Sequence, residues 1–262
     1  MPFRVTGMTL LDSVVLGIIE GITEFLPISS TGHLILASKL LEIPQTEFLK
    51  TFEISIQLGA ILSVIILFWK SFLQIEVVKR LLIAFIPTGI IGFLFYGLIK
   101  DVFLESEVVV LSALFLGGIA LIVFELFHTE RADAPESIEA IPYFHTALIG
   151  VCQGLAIIPG VSRSAATILG GLLLGVRRTT IVEFSFLLAV PTMLAATGYD
   201  VLKNASLFSL DNALVLGVGF ITSFFVALLA IKFLLSYVKN HSFIPFGIYR
   251  IALALLFFFV IL

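Results

Sequence analysis

Residues 81–99 form an unbroken run of nineteen uncharged, mostly apolar residues, and the chain produces runs of this kind again and again. A helix needs about 20 such residues to cross the hydrocarbon of a bilayer. In that solvent only helices and closed barrels satisfy their own backbone polar groups. Six stretches meet or approach this length: residues 53–69, 81–99, 108–127, 184–199, 213–235 and 244–262. Charge collects in the connectors between them, and the longest polar stretch, residues 128–139, divides the chain near its middle. Only 13% of the 262 residues are charged and 60% are hydrophobic, against about 25% charged in an average soluble domain. Such a chain cannot cover a water-facing surface. The expected fold class is an all-α polytopic membrane protein, with residues 1–262 forming a single integral membrane domain.

Several function classes drop out at once. A formal charge of −3 is too small to suggest nucleic acid or any strongly charged partner. The only cysteine, Cys152, lies in an apolar segment, so no intrachain disulfide can form. Residues 1–9 carry one arginine and no small-residue cleavage site, so the first hydrophobic segment is expected to stay as part of the fold.

Two further hydrophobic segments are wrong for simple spans. Residues 10–39 are broken by Pro27, Ser29, Ser30, Thr31 and Gly32, and residues 146–176 by Pro159, Gly160, Ser162, Arg163 and Ser164. Each reads as helix, tight polar turn, helix, with irregular backbone at membrane depth. Such backbone is tolerated only inside protein or beside a wet cavity. Both are read as re-entrant helix pairs, with a pair of kinked spans as the alternative.

The two halves echo each other. Gly17-Ile18-Ile19-Glu20-Gly21 aligns with Gly150-Val151-Cys152-Gln153-Gly154, 133 positions on, and the same shift places Ile28-Ser29 on Val161-Ser162. Phe85-Ile86-Pro87-Thr88-Gly89-Ile90 resembles Phe243-Ile244-Pro245-Phe246-Gly247-Ile248 at a different shift, 158. An internal duplication follows, with residues 1–127 as the first repeat and 143–262 as the second. With about six full spans and two re-entrant pairs, one side collects Lys70, Lys79, Arg80, Arg131, Arg177, Arg178 and Lys239. The other collects Arg4, Lys39, Lys50, Lys100 and Lys203. The richer side is the cytoplasmic one by the positive-inside rule. The broken segments then enter from opposite sides, an inverted-topology repeat whose tips meet near the midplane, where transporters with this design place their sites.

The chemistry at those tips is specific. Glu20 and Glu24 are four residues apart, so on a helix both carboxylates share a face. Two like charges in a bilayer interior need a divalent cation, an arginine or a shared proton. Ser29, Ser30 and Thr31 stand where the next helix would be capped, and Ser30 and His33 are spaced to approach one reacting group. In the second patch Arg163 stands at the position matching Ser30, among Ser162, Ser164 and Thr167. A helix start offers free N–H groups to an anion, and the guanidinium fork matches phosphate oxygens. Carboxylates, hydroxyls, an imidazole, an arginine and two helix starts together suit a phosphoryl group, with a divalent ion between carboxylates and phosphate.

Structural readings compete at each position. Serine and threonine in membrane helices commonly bond one helix to the next, and charges near span ends snorkel to the interface. Glu125, Lys232 and Asp200 are read as snorkelling. Arg250 lies too far into the last span for that, and Glu53 and Glu183 are its candidate partners. Glu20, Glu24 and Arg163, at broken midplane positions, resist a purely structural reading.

At these residues the sequence resembles the bacterial undecaprenyl-diphosphate phosphatase family, also called bacitracin-resistance proteins. The resemblance rests on the stretch from Glu20 through Glu24, Ser29, Ser30 and Thr31 to His33, and on Pro159-Gly160-Val161-Ser162-Arg163-Ser164-Ala165-Ala166-Thr167. Stretches around Glu53 and Gln57, from Glu183 to Pro191, and from Phe243 to Arg250 extend it over nearly the whole chain. It implies an integral membrane hydrolase that converts undecaprenyl diphosphate to the monophosphate, recycling the carrier lipid of peptidoglycan synthesis. It also implies a divalent-ion requirement, bacitracin tolerance on overproduction, and a site in the cytoplasmic membrane open toward the outer face.

The expected roles follow. Glu20 and Glu24 hold Mg²⁺ or Ca²⁺ against the diphosphate. Arg163 clamps the phosphate oxygens with Ser29, Thr31, Ser162, Ser164 and Thr167. Ser30 or a water attacks phosphorus with His33 as general base, or His33 is itself the nucleophile. The competing class is a polyprenyl-phosphate carrier or flippase, since inverted repeats with broken helices are a transporter signature. Paired glutamates, which repel an anion without a metal between them, favour the enzyme. The sequence leaves the oligomeric state open, a homodimer included.

Overall fold

In the computed structural model, which describes residues 7–98, 106–203 and 212–261, all the regular structure is helical apart from one isolated bridge residue. In chain order the α-helices are α1 (Leu10–Thr23), α2 (Ser30–Leu40), α3 (Glu47–Leu67), α4 (Ile75–Leu98) and α5 (Glu107–Phe127). The second half carries α6 (Tyr143–Gly154), α7 (Arg163–Leu173), α8 (Arg178–Lys203), α9 (Ala213–Tyr237) and α10 (Ile244–Ile261). Among the described residues five helices are long and apolar enough to cross a membrane: α3, α4, α5, α8 and α9. The sixth expected span, residues 244–262, is α10, which falls in the shorter apolar class over its described part. α3, α4 and α8 each start six residues ahead of the expected apolar runs because polar first turns are helical too, whereas α9 and α10 start where expected. Thr46 accepts a hydrogen bond from Leu49 N and so starts α3 six residues before the expected position.

α3 and α8 are mostly buried, while α4, α5 and α9 are covered on one face only. Leu82, Ile86, Ile90 and Phe93 on α4, and Ile221, Phe225, Leu229 and Phe233 on α9, recur at helical spacing and face outward. In water these stripes would be aggregation surfaces; in a bilayer they are solvated. The protein is therefore a multi-pass membrane protein. α3 and α1 pack on α9, α4 on α6, and α5 on α10.

α1 and α2 are 14 and 11 residues long, about 21 and 16 Å at 1.5 Å per residue, well short of the ~30 Å hydrocarbon. The chain comes back to where it started. Pro44, just after α2, lies beside Gly7, and Met8, Ile43 and Phe48 share one apolar cluster. α6 and α7, of 12 and 11 residues, behave alike: Thr180 donates to Pro135 O at 3.1 Å, bringing the end of the pair back to its beginning.

Charges segregate to the two ends. At one end, Arg177 pairs with Glu136, Arg178 with Glu125, and Arg80 donates to the carbonyls of Glu139 and Ile141. At the other, Lys39 pairs with Glu107 and Lys50 with Glu47. Glu125 departs from the expected snorkelling. Its side chain is 3% exposed, it takes two N–H donors from Arg178, and it accepts from Phe243 N at 2.9 Å. It lies two residues before the end of α5, paired with Arg178 and accepting from Phe243 N just ahead of α10, where a negative charge is favoured. Lys232 is exposed, as expected; the side chain of Asp200 lies outside the described residues.

The 133-residue echo reappears in the backbone. Ser29 and Ser162 cap α2 and α7 with nearly the same left-handed angles, φ 72° and 76°, and each hydroxyl accepts the N–H three residues on. Both helices are 11 residues long, and both end at a residue with φ near −84°, Leu41 and Leu174. The 158-residue echo does not match in this way: Pro87 is inside α4, whereas Pro245 is the second residue of α10.

Candidate active site

The two breaks face each other across a cavity of about 270 Å³. Its wall includes Glu24, Ser29, Ser30 and Thr31 from the first break and Pro159, Gly160, Ser162 and Arg163 from the second. Gln57 of α3 and Met193, Ala196 and Thr197 of α8 complete it with Ala156. Ligand pockets usually run to about 300–1,000 Å³, so this volume suits a polar headgroup rather than a long lipid.

A serine with positive φ is uncommon and costs backbone strain. Here it turns the chain sharply enough that α2 and α7 both begin at the cavity. Arg163 reaches across it: Nη2 donates to Glu24 Oε1 at 2.8 Å and Nη1 to Ser185 O at 2.8 Å. The guanidinium also lies 5.6 Å from the Phe25 ring centroid, and Nε has no partner. The other oxygen of Glu24 accepts from Ser30 Oγ at 2.5 Å. One carboxylate therefore joins the arginine of one half to the hydroxyl of the other. The ion pair is largely buried, at 12% and 6% exposure, where removing one partner costs about 3–5 kcal/mol.

Glu20 is fully buried, and neither of its oxygens has a hydrogen-bond partner. It is repelled by both Glu24 and Glu53. A buried carboxylate left bare near Glu24 fits a divalent cation, with Glu20 and Glu24 as protein ligands and waters or phosphate oxygens as the rest. Among the described residues no group of three acidic, histidine or cysteine side chains is placed to hold a metal ion.

His33 does not pair with Ser30 as the sequence led us to expect. Its Nδ1 lies 2.7 Å from Ser29 O, a carbonyl that can only accept, so the proton is on Nδ1. Nε2 lies 2.8 Å from the Tyr249 hydroxyl, whose ring stacks on the imidazole at 6° between planes. Both nitrogens are committed, and the i, i+3 spacing is overruled by a long-range partner on α10. Ser164 and Thr167, expected on the phosphate, also lie off the cavity wall. Ser164 Oγ donates to Leu26 O at 2.9 Å, pinning one break to the other. Thr167 Oγ1 is shared among Arg163 O, Ser164 O and the Ser185 hydroxyl.

Arg250 pairs with neither Glu53 nor Glu183. It has no exposed surface and donates only to backbone carbonyls. Sequence reasoning gave no role to Gln57, Met193, Thr197, Ser185 or Tyr249. Gln57 carried a signal, a lone amide inside an apolar span; the others were indistinguishable from ordinary packing residues.

Fold and cavity together define a multi-pass membrane protein with a cavity enclosed between helices and lined in part by charged and hydroxyl side chains. The family model described as Bacitracin resistance protein BacA matches residues 13–256. An undecaprenyl-diphosphatase of Sulfurihydrogenibium sp. is 57% identical over 251 residues, covering 96% of this chain and 99% of the relative. Proteins of the same name from Persephonella marina and Aquifex aeolicus are 52% and 50% identical, over 97% and 95% of this chain and 100% and 98% of theirs. The chain belongs to the bacitracin resistance protein BacA family, as its motifs implied.

Proposed function

We infer that this protein hydrolyses undecaprenyl diphosphate to undecaprenyl phosphate and inorganic phosphate within the bacterial cytoplasmic membrane. The observation that carries this reading is the three-way junction of Arg163, Glu24 and Ser30, with bare Glu20 beside it. A diphosphate entering the cavity competes with Glu24 for the Arg163 fork. Once displaced from Arg163, Glu24 is a freer base, already 2.5 Å from the Ser30 hydroxyl. In the covalent route Ser30 Oγ bonds to the terminal phosphorus, its proton passes to Glu24, and the anhydride P–O bond breaks to release the lipid monophosphate. Water then cleaves the phosphoserine. In the direct route a water takes the place of Ser30 and gives Glu24 the same proton. Arg163 and the N–H groups opening α2 and α7 hold the phosphate oxygens and neutralise charge as it develops. A divalent ion held by Glu20 and Glu24 would supply neutralisation of the diphosphate.

The arrangement in the membrane belongs to the same reading. α1–α2 and α6–α7 are re-entrant pairs, α10 is the sixth span, and the halves are inverted repeats. The short helices, the return of Pro44 to Gly7 and the matched serine caps support this. The end bearing Arg131, Arg177 and Arg178 faces the cytoplasm, so the first pair enters from the outer side.

The test is phosphate release from undecaprenyl diphosphate in detergent, with and without chelator, for the wild type and Arg163→Ala. Metal-dependent release that Arg163→Ala abolishes while remaining folded supports the hydrolase. No release from folded wild type with Mg²⁺, Ca²⁺ or Mn²⁺ rejects it in favour of a lipid carrier.

A further inference from the structure

Arg250 spends every donor it has on main chain. Nε donates to Leu114 O at 3.3 Å, Nη1 to Pro27 O at 3.3 Å and Val161 O at 2.9 Å, and Nη2 to Ala113 O at 3.0 Å and Gly160 O at 2.8 Å. A guanidinium has five N–H donors in a fixed plane, so the group is saturated and no carboxylate takes part. Its acceptors come from three places: the first break at Pro27, the second at Gly160 and Val161, and the middle of α5. Helix breaks leave carbonyls without helical partners, and in hydrocarbon those carbonyls have no water to turn to. One side chain answers for both breaks at once.

The seat is built for it. A methyl group at Gly117 would collide with the Arg250 guanidinium, and one at Gly118 would meet Gly247 O at 2.7 Å. The absence of side chains at these two positions lets α10 lie against α5 closely enough for the fork to reach across. Pro27 precedes Ser30 by three residues, and Gly160 precedes Arg163 by three. The separation of the two carbonyls thus sets the separation of Ser30 and Arg163 across the cavity.

We propose that Arg250 is a positioning residue for the hydrolysis, holding the two breaks in register from behind the cavity, with Gly117 as its seat. Its hydrogen bonds go to main chain alone, so it acts through the backbone. Lysine keeps the charge but offers its donors from a single point, so it cannot span both breaks. A displacement of about 1 Å at a reacting group costs on the order of 100-fold in rate.

The experiment uses Arg250→Lys, Arg250→Met and Gly117→Ala in the full chain in detergent. It measures kcat and KM on undecaprenyl diphosphate and backbone hydrogen exchange over residues 24–33 and 159–167. The expected result is folded protein whose kcat falls about 100-fold with KM changed by less than about threefold. Exchange should quicken in both breaks together, and α3 should exchange as in wild type. Folded variants with wild-type kcat and wild-type exchange overturn the proposal. If the Arg250 variants do not fold, Gly117→Ala decides, and failure of all three to fold makes Arg250 a stability residue and overturns it equally. The activity arm rests on the phosphatase reading: an inactive wild type rejects that reading, and the exchange arm then judges Arg250 alone.

Discussion

Ser30 Oγ lies 2.5 Å from Glu24 Oε2, while His33, less than one turn along the same helix, is turned to Tyr249. The proton acceptor nearest the candidate nucleophile is therefore a carboxylate that an arginine also holds. Glu24→Gln should lower phosphate release per folded molecule by about 10²–10⁴-fold, and His33→Gln by much less. A steady-state assay of both variants decides. The reverse order would mean that the proton travels through His33 after the ring has rotated away from Tyr249.

His33 and Tyr249 should behave as one unit. Tyr249→Phe removes the hydroxyl at 2.8 Å and leaves the stacked ring. Its effect on kcat should be small in a His33→Ala background and larger in the wild type, with a coupling of about 0.5–3 kcal/mol. Strictly additive effects in a double-mutant cycle would mean that the contact plays no part in turnover.

Glu20 should set metal affinity. Its two bare oxygens are the least satisfied polar atoms at the site. Glu20→Gln should raise the Mg²⁺ or Ca²⁺ concentration needed for half-maximal activity by at least about tenfold, in keeping with loss of a carboxylate ligand. Unchanged metal dependence in an active Glu20→Gln protein would assign the buried carboxylate to proton sharing instead.

Glu125 should matter for stability and not for chemistry. It joins Arg178 of α8 to the N–H of Phe243, just ahead of α10, and is not among the residues lining the cavity. Glu125→Ala leaves the mostly buried Arg178 without its carboxylate, a loss of at most about 3–5 kcal/mol. A clear fall in Tm is expected, with kcat per folded molecule retained. A lower kcat at full stability would point instead to movement of α10, and with it Arg250.

The two ends of the molecule should be distinguishable in cells. In a Cys152→Ser background, a membrane-impermeant thiol reagent should label Lys39→Cys from outside and spare Arg131→Cys until the membrane is opened. Labelling of both from outside would refute the inverted arrangement of the two halves.

The membrane class and the two broken segments could be read from apolar run length and from prolines set among hydroxyls, because both are local properties. Glu20, Glu24, Ser30 and Arg163 were legible for a related reason, since charge at membrane depth demands a partner. What the sequence hid was which partner. Arg250 was expected to seek a carboxylate and instead found five carbonyls, three of them at the chain breaks, which create acceptors that no residue letter displays. His33 was matched to its near neighbour Ser30, although Tyr249 lies 216 residues away and reaches it only once α10 packs against α5. Glu125 looked like an interface residue although α5 ends at Phe127 as expected, because its partners, Arg178 and the N–H of Phe243, are far along the chain.

Ser29 and Ser162 cap α2 and α7 with nearly the same φ, yet the residue that follows is a hydroxyl at one break and a guanidinium at the other. The mismatch recurs one helix earlier, where Glu20 corresponds in register to Gln153. Two identical subunits meeting across this gap would present either paired arginines or a doubled set of glutamates. The first could grip an anion but not accept a proton, and the second would expel the anion. Two like turns within one polypeptide can carry unlike charges, so a single chain brings to the cavity a pairing that two identical subunits could not.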